Sequence, residues 1–292
     1  MAKTKLSIII LSYNTKDLLM SCLDSLKKVK DEVNFEVIVV DNASSDGSPE
    51  VVAENYSWVK LVKNKRNLGF AAGNNAAKNF CRGEYILFLN SDTLMKKNTL
   101  RETLSYLDRD EKVGAMTCKI LLSNGKLDKD ARRSFPTPWT AFTHFSNLDR
   151  FFPHSRLFAR YWYGYLSEDL EHEVDVLQGA FFLTRKELLD KIGWFDESYF
   201  LDGEDIDLSW RIKEAGYKII YYPKVFIVHI KKASKKKPTK ENRKRFIMAG
   251  VNSMEIFYKK RLWQRYPIFI NISVLTGIKI LKLSRSLKLL IS

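Results

Sequence analysis

Short apolar runs alternate with helical patterns over most of the chain. The continuous runs are long enough for buried strands, and apolar side chains recur at helical spacing between the first two of them, from Leu18 to Leu26. Strand, helix and strand in short units are typical of a parallel sheet wound with helices. We therefore predict an α/β fold with a mainly parallel central sheet. The candidate strands are 6–11, 35–40, 59–62, 85–89 and 113–117.

Residues 124–175 break this pattern. They are rich in aromatic residues, prolines and arginines, and they show no clean period. We predict an irregular excursion with one helix, and long structured excursions of this kind are often binding elements. Regular pattern then resumes with a helix over about 206–215, closed by Gly216 as a helix C-terminus prefers, and with two strands at 217–222 and 225–230.

The net charge of +15 is confined to one end of the chain. Residues 1–230 contain 32 basic and 32 acidic residues, whereas residues 231–292 contain 17 basic and two acidic ones. This asymmetry predicts that residues 231–292 meet phosphates or an anionic membrane surface, although a solvated basic loop is the alternative. We expect a basic, helical C-terminal extension after a domain formed by residues 1–230.

Length and composition exclude several classes of protein. A chain of 292 residues with 45% apolar content has a sizeable core and is not disordered. Its three cysteines show no paired short spacing, which argues against a disulfide framework or structural zinc and favours a reducing compartment. The apolar run at 6–11 is too short for a signal peptide, so we expect a cytoplasmic protein.

Polar side chains stand where three of the candidate strands end. Asp41 and Asp92 follow strands 35–40 and 85–89, and His229 lies within the last strand. In an open α/β sheet, ligands bind at the carboxyl ends of the strands, so these three residues are predicted to share one edge. Asp41 could instead cap a helix, and His229 could be structural. A carboxylate with an imidazole suits Mg²⁺ or Mn²⁺, which would leave coordination positions for a phosphate ligand.

Four acidic residues crowd into the segment before the helix at 206–215. Some of them are explained by the helix dipole, which favours acids at a helix N-terminus. Four acids exceed that need, and crowded carboxylates raise one another's pKa, as a general base requires. We predict a catalytic role for this acid cluster, which comprises Asp202, Glu204, Asp205 and Asp207.

Taken together, these segments resemble the family 2 glycosyltransferases, in particular their bacterial rhamnosyltransferase-like subset. The resemblance covers about residues 5–230 and implies a nucleotide-diphospho-sugar-binding fold of the GT-A type and an inverting transfer. It is carried by six blocks in order, which read SIIILSYN, VIVVDNASSDGS, NLGFAAGNN, YILFLNSDT, GAFFLTRKELLDKIGWFDESYFLDGEDIDLSWR and VFIVHI.

The resemblance implies roles for individual residues around a nucleotide-sugar donor. Asp41 is similar to the aspartate that binds the nucleobase. Asn67, Gly69 and Asn74 resemble the segment near the ribose and diphosphate. In the family's Asp-x-Asp metal motif, Asn90 replaces the first acid here. The residues that the resemblance places at the donor are Ser12, Tyr13, Asn14, Asp41, Asn67, Gly69, Asn74, Asn90, Ser91, Gly179 and Ala180.

The same resemblance implies the chemistry of the site. Asp92 and His229 would hold Mg²⁺ or Mn²⁺ on the diphosphate, and Asp205, with Glu204 beside it, would be the general base. The donor would be dTDP- or UDP-linked, possible sugars include rhamnose, and the acceptor would be a polyprenyl-diphosphate-linked saccharide in the synthesis of a cell-surface polysaccharide. Residues 124–175 would then lie on the acceptor side.

The C-terminal residues predict where the protein acts. The apolar stretch 267–281 is too short to span a bilayer, but the residues after it form an amphipathic pattern. This is typical of an interfacial helix on anionic lipid at the inner face of the cytoplasmic membrane, or of a helix packed on the preceding domain. Its apolar face is predicted to comprise Ile280, Leu283, Leu287, Leu290 and Ile291, and its basic face Lys279, Lys282, Arg285 and Lys288.

Two other functions compete with this hypothesis. A nucleotidyltransferase on a similar fold usually carries a glycine-rich basic loop after its first strand, and the segment after Leu11 has no glycine there. A nucleic-acid-binding protein would use the basic tail. The acid cluster would repel a phosphate backbone, however, so we expect no nucleic-acid partner.

Overall fold

In the computed structural model, the described residues are 3–231 and 240–291, with backbone alone described at residues 240–242 and 288–291. Strands and helices alternate along the first half of the chain, as the hydrophobic pattern predicts. The strands are β1 (Leu6–Ser12), β2 (Phe35–Asp41), β3 (Val59–Lys63), β4 (Tyr85–Asn90), β5 (Thr93–Leu94), β6 (Val113–Leu122), β7 (Arg132–Arg133), β8 (His172–Glu173), β9 (Val176–Leu177), β10 (Phe181–Arg185) and β11 (Lys218–His229). The α-helices are α1 (Lys16–Lys27), α2 (Ser48–Asn55), α3 (Phe70–Asn75), α4 (Thr99–Arg109), α5 (Pro138–Phe145), α6 (Leu148–Phe151), α7 (Lys186–Ile192), α8 (Glu204–Glu214), α9 (Lys240–Phe257) and α10 (Ile268–Ile291).

One sheet organises the molecule, in the strand order β3-β2-β1-β4-β10-β6-β11-β5, with β8 paired to β11. β1, β2, β3 and β4 pair in parallel, and β6 pairs in parallel with β11. β10 is antiparallel to both β4 and β6. The strands β1, β2, β3, β4, β6 and β11 therefore run in one direction, and β10 runs against them. The prediction of a mainly parallel α/β sheet is therefore confirmed.

Both faces of the sheet are covered, which explains why its strands read as continuous apolar runs. Along β1, Ile8 and Ile10 point to one hydrophobic cluster and Ile9 to the other, since successive strand side chains face opposite ways. α1, α2 and α4 supply side chains to the first cluster, and α7 and α8 to the second. All three cysteines are buried and free, as the absence of a disulfide pattern suggests.

Two predictions of secondary structure differ from the structure. The strands expected at 217–222 and 225–230 are one strand, β11, with a break in register between Tyr222 and Phe226. Pro223 lies at this irregularity, where its missing N–H costs no ladder hydrogen bond. The excursion at 124–175 contains two helices, α5 and α6, instead of one.

The C-terminal extension packs on the sheet domain over its described part. Arg261 donates to Asp207 Oδ1 at 2.7 Å, and Tyr258 Oη donates to Asn271 Oδ1 at 2.6 Å, which links the end of α9 to α10. Tyr258 and Trp210 belong to a third hydrophobic cluster, against which Val274 of α10 packs. No helix in the described residues is both long and apolar enough to cross a membrane.

Candidate active site

The carboxyl ends of β2, β4 and β11 lie at the same edge of the sheet, as the strand-end pattern predicts. β5 returns antiparallel to β11 and pairs Thr93 with His229, so Asp92 lies beside the histidine. The distance between His229 Nε2 and Asp92 Oδ1 is 3.1 Å, and both side chains are buried. These two residues, which are 137 positions apart in the sequence, form what we call the metal pair.

The second nitrogen of His229 has a partner that the sequence did not reveal. Nδ1 lies 2.8 Å from Asp128 Oδ2, and Lys231 Nζ lies 2.8 Å from Asp128 Oδ1. Burial alone would lower the pKa of His229, but the hydrogen bonds to Asp128 and Asp92 outweigh it and raise the pKa to about 9. Asp128 lies in the aperiodic excursion, so periodicity gave no signal for it; the local spacing Asp128-x-Asp130 was the one hint.

The metal pair suits a divalent cation that completes its coordination with substrate oxygens. Within residues 3–231 and 240–291, no group of three or more His, Cys, Asp or Glu side chains is placed to hold a metal. Mg²⁺ commonly binds through one or two protein ligands together with phosphate oxygens and water, so two ligands fit this mode. A carboxylate on the far nitrogen of a ligating histidine, as at Asp128, fixes the orientation of the ring. Asn90 and Ser91 line the cavity beside Asp92.

A buried acceptor without a partner marks the end of β2. Asp41 Oδ2 accepts from the backbone N–H of Ser44 at 3.1 Å, while the buried Oδ1 has no hydrogen-bond partner. Buried carboxylate oxygens are rarely left unsatisfied, so a ligand N–H such as that of a pyrimidine base would fit here. Asn14, with a φ of 54°, accepts from Ser45 N–H at 2.8 Å and joins the β1 and β2 ends.

Asn42 shapes the loop that carries Asn67 and Gly69, and the sequence analysis did not single it out. Its amide donates to Asn67 Oδ1 at 2.9 Å and to Gly69 O at 3.0 Å, and its oxygen accepts from Leu68 N–H. Gly69 has a φ of 85°, and a Cβ there would lie 2.2 Å from Phe200 O. Only glycine therefore lets this loop approach the segment before α8.

The expected donor residues divide into those that line the cavity and those that lie behind it. Asn74 donates to Phe70 O at 2.9 Å within its own helix and is 1% exposed. Ala180 is also buried, and its carbonyl accepts from Asn90 N–H at 3.4 Å. The cavity is lined by Tyr13, Asn14, Asn67, Gly69, Asn90, Ser91, Asp92, Gly179, Glu204, Asp205 and His229, whereas Ser12, Asp41, Asn74 and Ala180 lie behind this lining.

The members of the acid cluster have different partners. Asp205 Oδ2 lies 2.5 Å from Arg133 Nη2, in an ion pair that is largely buried. Asp207 is fully buried and accepts from Arg211 and Arg261, so it holds the C-terminal extension on α8 and takes no part in the cavity. Asp205 lines the cavity and is paired with Arg133, and a general base must be within reach of the substrate in this way.

Glu204 and Asp202 lack the compensation that Asp205 receives. Burial, followed by the charge of Asp205, raises the pKa of Glu204 well above its ordinary value, and its buried Oε2 has no hydrogen-bond partner. Asp202 opens to the cavity, yet the surrounding protein desolvates it, and this with the charge of Asp205 raises its pKa. Neighbouring carboxyls with unlike environments are a common way of separating acid and base roles.

A single cavity of about 1660 Å³ contains the metal pair, Asp205 and the loop at Asn67. Ligand sites usually measure about 300–1,000 Å³, so this one has room for two substrates. α5, α9 and α10 also contribute to its wall. Arg133 and the α5 wall come from the 124–175 excursion, which the sequence predicted as a binding element without identifying these residues.

Comparison with known proteins identifies the family. The family model described as glycosyl transferase family 2 matches residues 7–193. The chain belongs to glycosyltransferase family 2. This glycosyltransferase is 27% identical over 237 residues to the N-acetylglucosaminyl-diphospho-decaprenol L-rhamnosyltransferase of Mycobacterium tuberculosis, covering 77% of this chain and 76% of the relative. It is 25% identical over 232 residues to the rhamnosyltransferase WbbL of Escherichia coli, covering 76% and 82%.

Solved structures confirm the GT-A fold of this glycosyltransferase. The mannosyltransferase PcManGT from Pyrobaculum calidifontis, in complex with GDP-Man and Mn²⁺, matches with a TM-score of 0.57 at 22% identity, over 88% of this chain and 65% of that one. Staphylococcus aureus TarS 1–349 in complex with UDP-GlcNAc matches with a TM-score of 0.54 at 20% identity, over 87% of this chain and 66% of that one. The chain therefore spans about two thirds of these two solved structures.

Proposed function

We propose that this glycosyltransferase moves a hexose, with rhamnose as the leading candidate, from a nucleotide-diphospho-sugar to a lipid-linked saccharide, with inversion at the anomeric carbon. The observation that carries the proposal is that one cavity is lined both by the metal pair and by the arginine-paired Asp205, which belong to different elements. The rhamnosyltransferase names of two relatives support the sugar, and the decaprenol-linked substrate in one of those names supports the acceptor class.

At the donor end, we assign the N–H of a uracil or thymine base to the unpaired Oδ1 of Asp41, which the base can reach only if the lining in front of it shifts, and the loop at Asn67 and Gly69 to the ribose and diphosphate. Asp92 and His229 would hold Mg²⁺ or Mn²⁺, which when bound would neutralise charge on the leaving diphosphate. Asp128 keeps the His229 ring oriented for this task.

At the acceptor end, Asp205 removes the proton from the attacking hydroxyl. Arg133 forms an ion pair with Asp205, whereas burial and the charge of Asp205 raise the pKa of Glu204, so Asp205 is the better placed base for one displacement. The hydroxyl attacks the anomeric carbon from the face opposite to the diphosphate. Inversion in a single step needs no covalent nucleophile.

The decisive experiment is a panel of dTDP-, UDP- and GDP-sugars with Mn²⁺ or Mg²⁺, in which release of the nucleoside diphosphate is followed with and without a saccharide-diphospho-lipid acceptor. Asp205→Asn is expected to lower transfer by about 10²- to 10⁴-fold while donor binding, measured by calorimetry, survives. Asp169→Asn on the exposed surface is the matched control. Full transfer in Asp205→Asn would disprove the assignment of the base.

A second component of the proposal concerns the membrane. The outward face of α10 exposes large apolar side chains, while its inner face packs on the domain. Packing on the domain is therefore compatible with contact between the outward face and lipid. Of the predicted basic face, Lys282 pairs with Glu255 and Arg285 donates to Ile247 O. The side chains of Lys288, Leu290 and Ile291 and the basic residues 232–237 lie outside the described residues. The exposed apolar face comprises Ile268, Phe269, Ile272, Ile280, Leu283 and Leu287.

Binding to the anionic inner face of the cytoplasmic membrane follows from this face and from the 17 basic residues of the extension. Cosedimentation with phosphatidylglycerol vesicles tests it, and the bound fraction should fall as salt rises. The double variant Leu283→Glu/Leu287→Glu should lose binding. Equal binding of the variant and the unchanged protein would refute the membrane role of α10.

A further inference from the structure

The far end of the cavity is apolar, and the proposed sugar transfer makes no use of it. Two elements contribute apolar side chains to it, α5 from the excursion and α10 from the C-terminal extension. A nucleotide-sugar and a saccharide are polar along their whole length, so neither explains this end. Its apolar side chains include Ala141, Phe142 and Phe145 on α5, and Val274, Ile278 and Leu281 on α10.

α10 is held in place, so this wall is a fixed surface. Ile278 is 5% exposed, and Asn271 bonds to the carbonyls of Trp263 and Tyr266 on the preceding segment. Gly277 also lines the cavity, and a Cβ built there meets no atom within 4 Å. The helix thus carries an open position at the middle of its apolar wall.

The apolar end opens to the outside between exposed aromatic and aliphatic side chains. Phe142 and Phe145 are 56% and 58% exposed although they line the cavity, and Ile280 on α10 is 60% exposed. Contiguous exposed apolar surface of this kind marks a site for an apolar partner. The outward face of α10, which we propose to lie on the membrane, continues from the same opening.

A cation lies near the acid cluster. Gly250 lines the cavity, and a Cβ there would lie 3.3 Å from Asp202 Oδ2 and 3.7 Å from Arg285 Nη1, which donates to Ile247 O. The acid cluster, this nearby cation and the apolar wall therefore occur together. A lipid-linked acceptor also combines three such parts, with a sugar hydroxyl, a diphosphate and a hydrocarbon chain.

From this combination and from the continuity of the cavity, we propose that the apolar part lined by α5 and α10, which we call the channel, binds the isoprenoid chain of the acceptor next to its diphosphate. The inference rests on the proposed function, because it extends the same site to the lipid of the acceptor. The chain leaves through the opening at Phe142 and Ile280 towards the bilayer. The first isoprene units are thereby taken out of the membrane and fix the saccharide at Asp205.

A photoreactive analogue of farnesyl diphosphate, with a benzophenone on its last isoprene unit, tests the channel without relying on catalysis. The full-length protein in detergent is irradiated with it, and labelled peptides are mapped by mass spectrometry. We expect labelling of α5 and α10, and competition by unlabelled farnesyl diphosphate but not by phosphatidylglycerol.

Gly277→Leu fills the channel at its open position, and it replaces a residue of poor helix propensity, so α10 should not be destabilised. Excluding even two or three buried carbons should weaken labelling at least about tenfold. The matched control is Thr276→Leu, which adds a similar apolar group at the neighbouring exposed position and should label as the unchanged protein does. Thermal unfolding checks that both variants fold, and Ala141→Leu on α5 replaces Gly277→Leu if the latter does not.

Equal labelling of Gly277→Leu, or of Ala141→Leu where it takes its place, and of the Thr276→Leu control would overturn the inference. So would labelling elsewhere, no labelling, or equally good competition by phosphatidylglycerol, which would assign the channel to bilayer lipid. The transfer assay is read separately. Absence of transfer from every donor with labelling intact would reject the proposed function and leave an isoprenoid site in place.

Discussion

Glu204→Gln tests the division of roles within the acid cluster. Glu204 is 5% exposed, its Oε2 has no hydrogen-bond partner, and the next residue is Asp205, the ion-pair partner of Arg133. Burial first, and the charge of Asp205 second, raise the pKa of Glu204 well above the ordinary value of 4.5. Glutamine keeps the shape of the protonated acid and removes its titration.

The sign of the effect follows from proton linkage. In the unfolded chain the carboxyl loses its proton near pH 4.5, whereas in the folded protein it retains the proton to a higher pH. The folded state therefore binds more protons than the unfolded state over this window, so the free energy of unfolding falls as pH rises. Each unit by which the folded pKa exceeds the unfolded one removes about 1.4 kcal/mol.

Urea denaturation at pH 4, 6 and 8 measures this contribution. We expect Glu204→Gln to match the unchanged protein at pH 4 and to exceed its stability at pH 8 by at least about 1 kcal/mol. Glu187→Gln, on the exposed face of α7, should show no such growth with pH. A Gln variant that is less stable at pH 8 than at pH 4, relative to the unchanged protein, would show that Glu204 is held as a carboxylate, and the roles assigned to the cluster would fail.

Three further changes test the supports of the site. Asp128→Asn should weaken Mn²⁺-dependent donor binding about 10- to 100-fold in calorimetry, since it removes the partner that orients His229; unchanged metal dependence would contradict this. Arg133→Met should destabilise the fold by about 3–5 kcal/mol in urea, since it leaves the Asp205 charge buried and unpaired, and the double variant with Asp205→Asn should recover much of that loss. Gly69→Ala should cost at least about 1–3 kcal/mol, because a Cβ would lie 2.2 Å from Phe200 O at a φ of 85°, and a fully stable variant would show that this loop is not constrained.

The sheet could be predicted because its evidence is local. Buried strands are continuous apolar runs, and polar residues at their ends fall at one edge once the strands are parallel. This reasoning led correctly to the contact between Asp92 and His229. It failed at β11, where two strands were predicted and the structure has one, with Pro223 at a break in register.

The supporting residues of the site could not be predicted, because their partners are distant in sequence. Asp128 and Arg133 lie in an excursion whose pattern shows no period, and only the path of the chain from β6 to β10 brings them to the sheet edge. Asn42 follows β2 and is a residue type that is common in turns. Its hydrogen bond to Asn67 could not be predicted, because it depends on the path of the loop that carries Asn67.

The acid cluster shows why residue type alone could not assign a base. The sequence presents four acids within six residues, and their residue type alone does not say which of them is the general base. The fold then supplies Arg133 to Asp205 from 72 residues away and Arg261 to Asp207 from 54 residues away, while the buried Oε2 of Glu204 receives no partner. Asp207 is paired away from the cavity, burial raises the pKa of Glu204, and Asp205 pairs with Arg133 at the cavity wall. The proposed choice of Asp205 as the base therefore depends on where the arginines lie, and moving one of those arginines should change which acid can act.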